Sequence, residues 1–308
     1  MEVAKLKYQS KKKTDGGGKA FFIAALSLFI FIIGGWYAVL PGEFNKCEAG
    51  KNLHECGCPT NKDAISKRNI IIVDTTDYIA PGKFPDIENL IESYALKPEP
   101  FYEWIKNGKK VEMTSVYLLS DKIPSSMLPI GKFCKPPPEI ALMASTSKDE
   151  MKKMQEGIKS ELNMALKPLH NLAQAKESPI IETLAVVTSN ATAWTPGGDL
   201  VLVSDLLQNS SKCGWFEGNN QIPKFSNTPS ECKIFIDKFR ANTQATNVYS
   251  GKTNVAVCQL PPIDGKNPKP GLIAFWRDFF QGALKYDLVE TCNPSEINDR
   301  KVSLRTQK

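Results

Sequence analysis

Apolar and polar positions alternate between two kinds of pattern along most of this chain. RNIIIVDTTD, from Arg68, is a run of β-branched residues closing on polar ones, the signature of a strand covered on both faces. FPDIENLIESYAL follows, with Ile87, Leu90, Ile91 and Tyr94 on one helical face. PFYEWIKNGKK leads into VEMTSVYLL, whose β-branched content predicts a second strand, and the Pro-rich DKIPSSMLPIGKFCKPPPEIALMAS reads as an irregular surface excursion. Ser147-Lys-Asp-Glu150 is a capping box that opens a helix carrying Met151, Met154, Ile158 and Leu162, which should stop before Pro168. Ser178-Pro179 opens another helix over SPIIETLAVVTSN. GGDLVLVSDLLQNS and TNVAVCQL predict two more buried strands, with a short helix in IFIDKFRAN between them. After Pro268 and Pro270, Leu272, Phe275, Trp276, Phe279 and Ala283 share one face of a helix. Buried strands alternating with amphipathic helices predict a three-layer α/β domain with a mostly parallel central sheet over residues 69–290. The tail 291–308 either adds an edge strand or stays mobile.

The segment ahead of this domain has a different character. Ala20 to Gly42 contains no charged residue, long enough for one transmembrane helix, and Trp36 and Tyr37 stand near its far end where interfacial aromatics belong. Residues 1–19 form a basic tail with six lysines against Glu2 and Asp15. The positive flank is therefore N-terminal, which predicts a cytoplasmic N-terminus and a main domain in the periplasm or outside the cell. The apolar run exceeds the core of a cleaved leader, and no small-x-small cleavage site follows, which favours an uncleaved anchor.

Residues 43–68 read as a Cys-containing neck. All eight cysteines lie beyond the apolar run, and their even number agrees with an oxidising compartment. Eight cysteines allow 105 pairings. Cys213 with Cys232 is the pairing we favour, because it closes the polar insert GWFEGNNQIPKFSNTPSE at its base. The cluster Cys47, His54, Cys56 and Cys58 has zinc-ligand residue types, but its Cys-x-Cys spacing fits local disulfides better. Cys258 reads as a buried small residue of a strand.

Charge and histidine content narrow the function. The chain carries 39 Lys plus Arg against 33 Asp plus Glu, a net +6, of which the first 19 residues supply most. The body is close to neutral, which argues against nucleic-acid binding. With only His54 and His170, a three-His metal centre is impossible, and His-based nucleophilic catalysis has few candidates. No Walker loop, Gly-x-Ser-x-Gly elbow or His-Glu-x-x-His occurs. A haloacid-dehalogenase-like phosphatase would need an acid two residues beyond Asp74, where Thr76 stands. The triplets starting at Asn190 and Asn209 match glycosylation acceptors, a pattern common by chance.

In an open parallel sheet, ligands sit beyond the carboxyl ends of the strands. The first strand ends Asp74-Thr75-Thr76-Asp77-Tyr78, and the later one ends Ser204-Asp205. With Ser178 at a helix start between them, two carboxylates and two hydroxyls make an all-oxygen set suited to a hard cation such as Mg²⁺. The alternative reading is local: Asp74 and Asp205 as helix caps, Thr76 and Ser178 as turn formers. This layout resembles a von Willebrand factor A-type domain from Asn69 to Leu284. In that family the first strand ends in Asp-x-Ser-x-Ser, a loop adds a Thr, and a central strand adds an Asp. Asp74 and Thr76 would fill the first and third motif positions, Ser178 the loop position and Asp205 the last, while Tyr78 replaces the fifth-position Ser.

The resemblance implies a membrane-anchored interaction or assembly module with a degenerate metal-dependent adhesion site, not an enzyme. By analogy it would serve an envelope-spanning secretion or conjugation machine in the cytoplasmic membrane of a bacterium. Its partners would be other membrane or envelope proteins and, through residues 20–42, the lipid bilayer. Trp215 and Phe216 in the polar insert are a second candidate contact, or else pack beneath their loop. The competing classes are a membrane-tethered Mg-dependent hydrolase built on Asp74 and Asp205, and a solute-binding or sensory ectodomain.

Overall fold

Successive side chains of a strand point to opposite faces, so an unbroken apolar strand has to be covered on both sides. In this computed structural model, residues 57–75, 79, 81–98, 100–106, 108, 110–119, 128–138, 148–167, 177–190, 194–195, 198–214, 225–244, 254–260, 271–280 and 285–289 are described. The strands are β1 (Ile65–Asp74), β2 (Val111–Leu119), β3 (Gly131–Cys134), β4 (Leu200–Ser204), β5 (Asn254–Gln259) and β6 (Lys285–Val289). The helices are α1 (Phe84–Ala95), α2 (Phe101–Lys106), α3 (Lys148–Leu166), α4 (Ile180–Thr188), α5 (Ser230–Gln244) and α6 (Leu272–Phe280).

The sheet runs β3-β2-β1-β4-β5-β6. Every neighbouring pair is parallel except β2 with β3. β1 lies near the middle, and its alternation sorts the core. Ile70 and Ile72 face a cluster shared with α4, α5 and α6, whereas Ile71 and Val73 face one shared with α1 and α3. The mixed α/β architecture with a mostly parallel sheet therefore agrees with the sequence pattern. The α6 face is as expected at Leu272, Phe275, Trp276 and Phe279, and Phe280 is buried too. Phe239 of α5 stacks on Phe279 with ring centroids 5.0 Å apart. Such offset aromatic contacts add to the area they bury.

Several elements depart from the expected pattern. The Pro-rich stretch read as a surface excursion contains β3, with Phe133 and Cys134 fully buried. Four residues are too few to show a period, and the strand exists because β2 offers it an edge. PFYEWIKNGKK contains α2, and the helix expected at IFIDKFRAN starts earlier, at Ser230. β1 begins at Ile65, within the stretch read as neck, and β6 lies ahead of the tail. Among the described residues no helix is long and apolar enough to cross a membrane, and residues 20–42 lie outside them.

Polar and covalent ties hold the amino edge of the sheet. The buried Asn69 side chain accepts from Asp199 N–H at 2.9 Å and donates to Glu112 at 3.3 Å. Glu112 also pairs with Lys135 at 2.8 Å and Lys67 at 3.5 Å. Gly198 approaches β1 so closely that a Cβ would stand 2.1 Å from the Arg68 carbonyl oxygen. Cys58 and Cys134 form a disulfide across 76 residues, with Gly57 at φ +68 turning the chain ahead of it.

Closing a loop that long removes more unfolded-state entropy than the 19-residue separation of Cys213 and Cys232 does. The chain-entropy relation gives about 4.5 kcal/mol for the first and about 3 kcal/mol for the second. The double variant Cys58→Ser/Cys134→Ser should therefore unfold at lower urea than Cys213→Ser/Cys232→Ser; the reverse order would contradict this account of the neck tie.

Candidate functional site

At the carboxyl edge of the sheet, β1 and β4 are adjacent and in register at Val73 and Val203, so the next residue of each stands at the same rim. Those residues are Asp74 and Ser204. The Asp74 carboxylate is buried, and its Oδ2 accepts from Ser204 Oγ at 2.7 Å and from Ser178 Oγ at 2.8 Å. Ser178 is brought there by a short antiparallel bridge to Asn209, with Asn209 N–H donating to the Ser178 carbonyl at 3.0 Å. The segment before α4 and the segment after β4 thus close on each other over the end of β1.

Asp205 follows Ser204 at the same rim and is buried as well. Its Oδ1 accepts from Leu207 N–H at 2.9 Å, the side-chain turn expected of an Asp at a strand end. Ser204 Oγ does double duty: it gives its proton to Asp74 and accepts from Leu206 N–H at 2.8 Å. Leu206 sits at φ +69, a conformation that costs a β-carbon-bearing residue about 1–2 kcal/mol. Burial of its side chain and a 2.9 Å bond from Trp276 Nε1 to its carbonyl hold it there. Thr75, next to Asp74, donates from its Oγ1 to the Leu119 carbonyl at 2.7 Å.

Of the residues singled out from the sequence, Asp74, Ser178 and Asp205 share this rim. Thr76, Trp215 and Phe216 lie outside the described residues. Cys213 and Cys232 are disulfide-bonded and buried, and join the β4–α5 connection to α5. Cys258 is buried in β5 as expected, but it is also disulfide-bonded.

A polar cluster that the sequence reading missed adjoins the rim. α4 has no side-chain cap of its own at Pro179, and the Ile181 N–H is met instead by Gln208 Oε1 at 2.8 Å. Gln208 Nε2 donates to Glu182 at 3.1 Å and to Ser210 Oγ at 3.2 Å. The Ser210 hydroxyl donates to the other Glu182 oxygen and accepts from Cys213 N–H at 2.9 Å. Glu182 is fully buried, and that burial pushes its carboxyl above the ordinary value despite the opposing effects of Ser210, Gln208 and Lys212. A single carboxylate inside the apolar IIETLAVV was the available signal.

Among the described residues no group of three or more His, Cys, Asp or Glu is placed to hold a metal ion. The rim has another composition: two carboxylates with the hydroxyls of Ser178 and Ser204. All its donors are oxygen, which suits a hard divalent cation, and a hydroxyl that gives its proton to Asp74 keeps lone pairs for one. In donor type, though not in the number of His, Cys, Asp or Glu ligands, the residues present agree with such an ion.

No family model matches the chain, and no curated protein matches it. Among solved structures it is similar to the pilus adhesin SpaC from Lactobacillus rhamnosus GG in its open conformation. The identity there is 12% and the TM-score 0.37, over 77% of this chain and 30% of that one. It is also similar to the PilB minor pilin from Streptococcus sanguinis, at 10% identity and a TM-score of 0.36, over 78% of this chain and 61% of that one. The chain thus spans less than two thirds of either protein, and likenesses this small establish neither fold nor function.

The rim yields a stability order. Ser204→Ala removes two hydrogen bonds and Ser178→Ala one, so the first should cost roughly 2–3 kcal/mol and the second about 1–2 kcal/mol in urea unfolding. Equal costs would contradict the double role of Ser204. The Glu182 carboxyl, raised in the folded state, favours folding fully below its unfolded value, and that contribution is lost as pH rises through the folded one. The stability of Glu182→Gln relative to the native chain should therefore improve as pH rises from the glutamate range; a pH-independent difference would refute this.

Proposed function

We propose that this chain is a membrane-anchored, extracytoplasmic interaction and assembly module of von Willebrand factor A-like fold. Its carboxyl-edge rim is a degenerate metal-dependent adhesion site. The observation that carries the reading is the convergence of Asp74, Ser178 and Ser204 through hydrogen bonds of 2.7 and 2.8 Å, with Asp205 beside them. A mostly parallel sheet with helices on both faces supports it, as do the buried disulfides, which belong to an oxidising compartment.

Orientation follows from the chain path. Residues 20–42 are the anchor in this reading, and the chain enters the domain at the amino edge of β1. The rim lies a strand length away, roughly 30 Å, on the side facing away from the bilayer. Asp74, Ser178 and Asp205, with Thr76 two residues beyond Asp74 in sequence, are the residues that would hold a cation such as Mg²⁺. When bound, such an ion offers a position to an acidic group of a partner. The residues of this chain do the rest: Ser178 and Ser204 orient the Asp74 carboxylate, and Trp276 and the Ser178–Asn209 bridge keep the rim in shape. The partner is another envelope protein, in an envelope-spanning secretion or conjugation machine of a bacterium.

Full-length protein purified from detergent-solubilised membranes tests this. Envelope subunits should co-purify, and both chelator and Asp74→Asn should release them while the circular dichroism melt stays cooperative. Retention under chelation would refute the metal-dependent contact, and recovery of the monomer alone would refute assembly.

A further inference from the structure

Cys258 is fully buried on β5 and disulfide-bonded, yet none of the other described cysteines is its partner, because Cys58 is joined to Cys134 and Cys213 to Cys232. Three cysteines remain as partners: Cys47, Cys56 and Cys292. The register of the sheet decides among them, because a disulfide needs α-carbons no more than about 6.8 Å apart.

Cys56 stands two residues from Cys58, whose α-carbon is 4.8 Å from that of Cys134. Through β2, Cys134 is level with Arg68 of β1; through β4, Cys258 is level with Val73. Those levels are five residues apart along β1 and the two cysteines four strands apart across the sheet, a separation of about 25 Å at ordinary strand rise and spacing. Two fully extended residues add about 7 Å of reach, which leaves Cys56 no nearer to Cys258 than about 13 Å. Cys56 is excluded.

Cys292 has the opposite relation. β5 and β6 are parallel with Cys258 facing Val289, the last residue of β6, and Cys292 follows three residues later. Neighbouring strands lie about 4.8 Å apart, so a turn after β6 is enough to bring Cys292 to Cys258. Cys47, eleven residues ahead of Cys58, has chain enough to reach Cys258. That choice would leave Cys56 and Cys292 to each other, with their neighbours Cys134 and Val289 five strands and about 29 Å apart by the same measures. The few residues on either side would have to run in a straight line through the sheet to meet.

We propose that Cys258 is bonded to Cys292, and Cys47 to Cys56. The first bond fastens the edge strand β6 to β5 at the carboxyl edge of the sheet, two strands from β1. An edge strand is a template for pairing with another chain, and a covalent tie at its end holds it to its own neighbour. The second bond closes a local loop ahead of the Cys58–Cys134 tie. In forming each, two thiols lose two protons and two electrons to a disulfide oxidant, which leaves as a dithiol.

The test is a peptide map of the full chain, alkylated without reductant and digested with trypsin. Residues 253–266, which hold Cys258, should emerge joined to residues 286–300, which hold Cys292, and residues 47–51 joined to 52–62. Joining of 253–266 to 47–51, to 52–62 or to a second copy of itself would overturn the proposal. So would an alkylated Cys258 in a chain that retains the Cys58–Cys134 and Cys213–Cys232 bonds. Alkylation of every cysteine would overturn it together with the oxidising-compartment reading, so the two failures are distinguishable. Cys292→Ser, alkylated in urea, should label Cys258; labelling of Cys56 in its place would contradict the pairing. The map uses the native chain and stands whether or not the variant folds.

Discussion

A carboxylate buried at the end of a central strand must be given donors or it destabilises the fold that buries it. Asp74 receives them from the hydroxyls of Ser178 and Ser204. That requirement draws three separate parts of the chain together: the end of β1, the end of β4 and the approach to α4. Once Ser204 is committed to Asp74, its second bond to the Leu206 N–H and the Trp276 bond to the Leu206 carbonyl dictate the path of the following turn. The strained Leu206 backbone is the local cost, offset by two hydrogen bonds and a buried side chain.

The polar cluster next to it extends the same logic. Gln208 caps α4 in place of the missing side-chain cap and also satisfies Glu182, while Ser210 joins Glu182 to the Cys213 backbone and so to the disulfide with Cys232. A fully connected buried network is tolerable where a partly satisfied one is not. Glu182 remains its sensitive member, because burial penalises only its charged form. The rim and the cluster meet where the Ser178–Asn209 bridge sits, one residue from Gln208.

What the sequence disclosed follows from what forms each element. β1, β4, β5, α1 and α6 were legible because burial on both faces or on one helical face leaves a period in the residues themselves, as at Ile70–Val73 and Phe275–Phe279. β3 and α2 were not, because Gly131–Cys134 is too short for a period and FYEWIK exposes three of its four apolar residues. At the rim, Asp74 and Asp205 were found from strand ends and Ser178 from a helix start, whereas Ser204 was passed over because nothing in the sequence distinguishes it from an ordinary strand serine. Its role depends on the register of β4 on β1. Gln208 and Glu182 were hidden for the same reason: their pairing spans 26 residues and exists only after α4 has docked.

The oxygen-lined rim stands at the end of β1 opposite the one where the chain enters the strand. The most direct measurement of the central claim is the anomalous signal from a crystal of the protein grown with Mn²⁺ as a stand-in for a hard divalent cation. The account predicts a peak at the rim, about 2.1 Å from oxygens of the Asp74, Ser178 and Asp205 set. A crystal with the same rim geometry and no peak there, or a peak only at other carboxylates, would contradict it.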